Sequence, residues 1–401
     1  MQAMAEPGDR AAEVRSRDRP RQSTTMKPIY LDYNASTPIA PEVANAMRPF
    51  LTGHFGNPSS PHWAGAPAKQ ALESARVQVA ALLGCTPQEI VFTSGGTEAN
   101  NHAIKGAFFA LRERGNHVVT TQIEHPATLQ PCRFLERLGA EVTYLPVDGT
   151  GRVNPGDVRQ AITPRTVLVS VMHANNEVGT IQPIAEIAHI TRERGVLLHT
   201  DAAQSMGKIP TRVAELGVDL LSVAGHKLYA PKGIGALYIR DGVQLEPLLH
   251  GAGHESGRRA GTESVLLNVA LGAACALAAA SLAVQEARLT KLRDSFHARL
   301  RDLFGAALQL HGHPADRLPN TLNISLKDRI GSDVLAALDG VAASTGSACH
   351  SGRHELSPVL RAMGVPEPIG LGAVRFSLGR MTTADELDQV LELLRTRVLL
   401  R

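Results

Sequence analysis

Between Pro41 and about Arg240 the chain alternates short β-branched runs with longer segments of helical period. "EIVFT", "HVVTT", "EVTYLPV", "TVLVSVM", "GVLLHT", "DLLSVA" and "GALYIR" read as strands, and helices such as "PIAEIAHITRERG" separate most of them. The pattern therefore predicts an α/β fold built on a doubly wound, mostly parallel sheet. A long apolar stretch, "VLLNVALGAACALAAASLAV" (265–284), continues as an amphipathic helix to about Phe304. Beyond it the rhythm changes: "TLNISL", "AASTG" and "AVRFSL" read as strands interspersed with helices, a smaller α+β domain. The expected division is a large domain over 41–264 and a small one from 28–40 together with 265–401. The last helix opens on a capping box from Thr383 to Glu386 and sets Leu387, Val390, Leu391 and Leu394 on one face.

Composition narrows the class. The 401 residues, 43% hydrophobic and 20% charged, suit a soluble globular protein with two sizeable cores. A net charge of +3 with no basic stripe gives no sign of a nucleic-acid partner. Residues 265–284 are long enough to span a bilayer, but they are dominated by Ala and run straight into a charged continuation. They are expected to form a buried helix linking the domains, with no membrane partner. Residues 1–27 mix Arg, Asp, Pro and Ser with little to bury. They are expected to be a disordered tail, without a signal peptide's apolar segment and too acidic for a mitochondrial presequence, and Met26 is a second candidate start. Cys85, Cys132, Cys275 and Cys349 are scattered without CxxC pairs, which fits a reducing, cytoplasmic compartment.

In open α/β sheets ligands bind beyond the carboxyl ends of strands, so the residues that follow each strand are examined first. After "EIVFT" comes "SGGTEANN", two glycines and a Thr opening a helix, which can hold a phosphate on backbone N–H groups; the Gly-Lys-Ser/Thr of a Walker loop is missing. After "GVLLHT" comes Asp201, and after "DLLSVA" comes Lys227 in "GHKLYAPKG". A lysine for a Schiff base and an acid for a pyridinium nitrogen are what pyridoxal phosphate requires. Taken singly, the Gly pair is a turn, the Asp a helix cap and the Lys a solvated side chain. Cys349, in "AASTGSACHSGRHELSP", sits among small, polar and cationic residues, the company of a reactive thiol rather than of a buried one. Cys349, His350 and His354 lack a fourth ligand for zinc, so no metal is expected.

The ordered set "YLDYNASTP", "FTSGGTEANN", "EHPATL", "HANNEVG", "HTDAAQSMGK", "GHKLYAPKGIGALYIR", "GHESGRRAGTE", "STGSACHSG" and "RFSLGR" resembles the cysteine desulfurases of the NifS/IscS type, which are fold-type I, class V pyridoxal-phosphate enzymes. The resemblance runs over about residues 28–395. It implies that Lys227 attaches the cofactor, that Asp201 holds its ring nitrogen protonated, and that His125 stacks on the ring. Asn176 and Gln204 would bond the phenolic oxygen. Gly96, Thr97 and His226 would hold the phosphate, with Thr262 reaching it from the neighbouring subunit of a homodimer. Asn34 and Arg375 would grip the carboxylate of the substrate L-cysteine, and Cys349 would take its sulfur as a persulfide for an acceptor protein. A selenocysteine lyase or a class V aminotransferase is the enzymatic alternative, and a persulfide-carrying scaffold the non-enzymatic one. Three departures stand out: Ala224 where a phosphate-binding serine is common, a loop made cationic by His350, Arg353 and His354, and an end at Arg401 without the extension that docks a scaffold. The acceptor stays open among iron–sulfur cluster assembly, tRNA thiolation, DNA phosphorothioation and cofactor synthesis.

Overall fold

The computed structural model describes residues 27–345 and 355–400. The expected tail, apart from Lys27, lies outside the described residues, as do Cys349, His350, Arg353 and His354.

Strands are numbered in chain order. β1 (Ile29–Tyr30) stands apart from the large sheet. That sheet contains β2 (Ile90–Thr93), β3 (His117–Thr121), β4 (Glu141–Leu145), β5 (Thr166–Ser170), β6 (Leu197–Asp201), β7 (Leu220–Ala224) and β8 (Gly235–Ile239). Their order is β2-β8-β7-β6-β5-β3-β4, and β8 alone runs antiparallel to its neighbours. These are the strands that the apolar runs predict. β3, β5, β7 and β8 are buried throughout, and β6 is buried beyond Leu197, because helices cover both faces.

A second sheet has the order β12-β10-β9, all antiparallel, with β9 (Leu308–His311), β10 (Thr321–Leu326) and β12 (Ala373–Ser377). β11 (Val341–Ala342) is shorter than "AASTG" suggested and pairs in parallel with β1. Neither β1 nor β9 was expected. Two and four residues are too few to show a period, and each is held by partners distant in sequence.

The 40-residue helix Val265–Phe304 joins the two sheets. It is long and apolar enough to cross a membrane by composition, yet its two halves are packed into different cores. Ala270, Leu271, Ala274, Cys275 and Ala278 pack with the helix Gly65–Leu83 and the large sheet. Leu289, Phe296 and Leu300 pack with β10, β12 and the final helix Ala384–Leu394. That final helix has the expected Thr383–Glu386 capping box and buries Leu387, Val390, Leu391 and Leu394.

The segment that leads to Thr262 is anchored by a buried ion pair. Arg76 meets both carboxylate oxygens of Glu255, at 2.7 and 2.8 Å, and the same carboxylate accepts from the backbone N–H of Phe92 in β2. Glu255 and Ser256 both have positive φ there, 50° and 59°, strain that the ion pair helps to hold.

Candidate active site

A cavity of about 930 Å³ opens where the parallel strands end. These walls come from strand exits, so the sheet fixes the spacing of the side chains: Gly96 and Thr97 after β2, His125 after β3, Asn176 after β5, Asp201 at the end of β6 and Gln204 after it, His226 and Lys227 after β7. Asn34 and Arg375 close the cavity from the side of the smaller sheet. Thr262 does not line it and is exposed. The described residues that border the Cys349 segment, Thr345 and Glu355, both line it.

One end of the cavity is cut for an anion. Gly95, at φ 150°, precedes Gly96, the first residue of the helix Gly96–Ala110, which presents unpaired N–H groups. A Cβ on Gly96 would stand 3.1 Å from the Ala224 Cβ, and one on Gly235 would lie 2.4 Å from the Val223 carbonyl oxygen and 2.7 Å from Gly95, so small residues shape this cradle. His226 faces it with a pKa lowered to about 4 by burial and then by Lys227, so its ring is neutral.

In the middle of the cavity the Asp201 carboxylate accepts from Asn100 Nδ2 at 2.6 Å and from the Ala203 backbone N–H at 2.9 Å. His125 accepts from the Ala127 N–H on Nδ1 at 3.1 Å, as the N-cap of the helix Pro126–Glu136. Burial, then Lys227, lowers its pKa against the pull of Asp201. The neutral ring therefore carries its proton on Nε2. Lys227 Nζ donates to the carbonyl oxygens of Asn34 and Ala35 at 2.7 and 2.8 Å. Burial first, and Arg375 second, push its pKa down to about 8 although Asp201 and Asp32 oppose them.

The far wall is built around Arg375. Nη2 donates to Asp32 Oδ1 at 2.8 Å and Nη1 to the Asn176 carbonyl oxygen at 2.9 Å, while buried Nε has no partner among the described residues. The guanidinium is thus held rigidly with donor capacity left over. Asn34, expected to grip a substrate carboxylate, has its Nδ2 bonded to Thr321 Oγ1 and the Asn176 oxygen, and its Oδ1 accepts from Lys208 and Asn320. In this arrangement it braces the wall.

Several residues of the site escaped the sequence reading. Asn100 orients Asp201, Asp32 holds Arg375 and Lys208 holds Gln204. Glu124, 4% exposed, accepts from Thr121 Oγ1 and the Met172 N–H on Oε1, and its Oε2 has no partner among the described residues. A charged residue beside His125 was the one available signal for Glu124. Nothing local distinguishes Lys208 from a solvated lysine. Among the described cysteines none lines the cavity: burial pushes Cys85 and Cys132 up to about 12 and raises Cys275 as well.

The residues present fit pyridoxal phosphate: a glycine-lined helix N-terminus for its phosphate, a doubly hydrogen-bonded carboxylate for its ring nitrogen and an amine of lowered pKa for its aldehyde. Comparisons with known proteins agree. The chain is 49% identical over 372 residues to a protein of Dictyoglomus turgidum named cysteine desulfurase IscS, covering 91% of this chain and 93% of that one. A solved NifS-like protein superposes with a TM-score of 0.87 at 36% identity, over 93% of this chain and all of the other. The solved structure described as SspA in complex with cysteine gives a TM-score of 0.78 at 37% identity, over 87% and 98% of the two chains. Residues 29–390 match the aminotransferase class-V family. With its strand-end lysine, aspartate and glycine cradle in one cavity, the chain belongs to the class V aminotransferase family of pyridoxal-phosphate enzymes.

Proposed function

We propose that the protein is an L-cysteine desulfurase, which converts cysteine to alanine and leaves the sulfur as a persulfide on Cys349. One observation carries the reading. The cavity that holds Lys227 and Asp201 is also walled by Arg375 and by Thr345 and Glu355, so the sequence bearing Cys349 departs from and returns to that same cavity. The relatives' names point the same way.

In this reading Lys227 would attach the cofactor, Asp201 would keep its ring nitrogen protonated, and Gly96, Thr97 and His226 would take the phosphate, while His125, Asn176 and Gln204, which line the same cavity, would hold the ring and its phenolic oxygen. The bound cofactor supplies an electron sink that loosens the substrate's Cα proton and makes its sulfur electrophilic. Arg375 orients the substrate by its carboxylate, a charge-assisted contact. Lys227 would serve as the base that takes the Cα proton, and a pKa of about 8 leaves a usable share of it uncharged near neutrality. The Cys349 thiolate then attacks the substrate Sγ. An S–S bond forms, the Cβ–Sγ bond breaks, its electron pair remains with the carbon fragment, and protonation there gives alanine. A homodimer in which Thr262 reaches the partner's phosphate site, a cytoplasmic setting and an acceptor protein that removes the sulfur complete the reading.

The test is a single turnover with L-cysteine. Wild type should release alanine and gain one sulfur, removable by reductant, on the peptide containing Cys349. Cys349→Ser should keep the yellow cofactor band and release almost no alanine. Alanine formed by Cys349→Ser at the wild-type rate, or sulfur found on Cys85, Cys132 or Cys275, overturns the proposal.

A further inference from the structure

Behind the cavity wall lies an amine that the proposed chemistry does not use. Lys208, in the turn that follows β6, encloses its Nζ among amides. It donates to Gln204 Oε1 at 2.7 Å and to Asn34 Oδ1 at 3.2 Å. Among the described residues no carboxylate pairs with it. Burial first, and then the charges of Lys227 and Arg375, hold its pKa well below the ordinary lysine range. Lys208 does not line the main cavity. It borders a separate one of about 40 Å³, on which Lys227 also borders.

Its two acceptors do line the main cavity, and each has a choice of orientation that Lys208 removes. A carboxamide presents nearly the same shape either way round, so its hydrogen-bond partners decide which end is oxygen. With Lys208 donating to Oε1, Gln204 must turn Nε2 the other way, and there it donates to the Asn34 carbonyl oxygen at 2.9 Å. That oxygen is also the one that receives Lys227 Nζ. With Lys208 and Asn320 both donating to Oδ1, Asn34 must turn Nδ2 toward Thr321 and the Asn176 carbonyl oxygen, which in turn receives Arg375 Nη1. The two amides thus supply the amine with two acceptors.

We propose that Lys208 is a positioning residue of this site: by fixing the Gln204 and Asn34 amides it sets which hydrogen-bonding groups face the cofactor and Lys227, without touching either substrate or cofactor. Loss of the amine lets Gln204 invert, and an inverted amide offers an oxygen where the phenolic edge of the cofactor needs a donor. The inference rests on the cofactor reading above, and its test separates the two.

The test is a double-mutant cycle on the holoenzyme, read as the pH midpoint of the cofactor's visible absorption rather than as activity. Lys208→Met should keep stoichiometric cofactor but move the midpoint by about half a pH unit or more, the scale of coupling between contacting groups. In a Gln204→Ala background the same substitution should move it less, because one of the two amides it acts through is gone. Lys208→Gln serves in the same cycle if the methionine variant does not fold. An unmoved midpoint at full cofactor occupancy, or an equal shift with and without Gln204, overturns the proposal. A wild-type protein with no visible band on reconstitution would instead remove the cofactor reading itself.

Discussion

Lys227 lies between two demands. It must be uncharged to attack an aldehyde or take a proton, yet Asp201 and Asp32 both favour its charge. Burial and Arg375 win, and the pKa of about 8 leaves about a tenth of it neutral at pH 7, where an exposed lysine would have almost none. Cofactor capture by the cofactor-free protein should therefore quicken about tenfold per pH unit below 8 and level off above it, as followed by the growth of visible absorbance. A rate independent of pH between 6 and 8 would contradict the assignment. Asp32 presents a different case. Its bond to Arg375 is charge-assisted and holds the guanidinium toward the cavity. Asp32→Asn should raise KM for L-cysteine about three- to tenfold, a loss of the order expected for one weakened hydrogen bond to a charge, while leaving the cofactor spectrum intact. An unchanged KM would mean that Asn176 alone positions Arg375.

Elements meet at Glu124, which ties the exit of β3 to that of β5 through Thr121 and Met172. Burial raises its pKa to about 8, with Asp201 adding to the rise and the two donors opposing it. An unfolded chain would ionise this carboxyl near 4.5, whereas the folded one keeps its proton until about 8, so folding stability falls as pH climbs through that window and is flat beyond it. Glu124→Gln cannot ionise and should resist denaturant better than wild type at pH 8, by about 4 kcal/mol, with the gain fading toward pH 5. A constant difference between the two pH values would show that Glu124 is ionised in the fold. Gly235, at the start of β8, offers a second check. A methyl group there meets Val223 and Gly95 within 2.7 Å, so Gly235→Ala should weaken cofactor binding at least about tenfold by crowding the cradle. Equilibrium titration with pyridoxal phosphate measures it, and an unaltered affinity would place the phosphate elsewhere.

The same elements explain what could be read in advance. β3 and β5–β7 were legible because short β-branched or leucine-rich runs alternate there with helical segments, and Asp201 and Lys227 because each lies at or just beyond a strand end. β1, β9, the Arg76–Glu255 pair and the Lys208 contacts were not, since each depends on residues far away in sequence and carries no local period. Asn34 shows the limit from the other side. Its motif pointed to the site, but its task there depends on Thr321 and Asn320, which no local pattern joins to it.

At the scale of the whole molecule, Thr262 belongs to the cofactor motif set yet is exposed and outside its own chain's cavity. A two-fold dimer would bring it to the partner's site. Mixing Lys227→Ala chains with Thr262→Ala chains should then give heterodimers with one intact site, and reconstitution should recover a cofactor affinity that neither parent has. No recovery in a sample that sediments as mixed dimers would rule out the exchange. The helix Val265–Phe304 sets the remaining property. Between Ala278, its last residue in one core, and Leu289, its first in the other, it bridges about eleven residues, roughly 16 Å, as continuous helix. Neither core can melt without fraying this shared strut, so the two should lose structure in one step rather than in sequence. Amide protons along 279–288 report on this directly: they should exchange with solvent deuterium at the rate of global unfolding, and a proline at Ala283 should split that single transition into two.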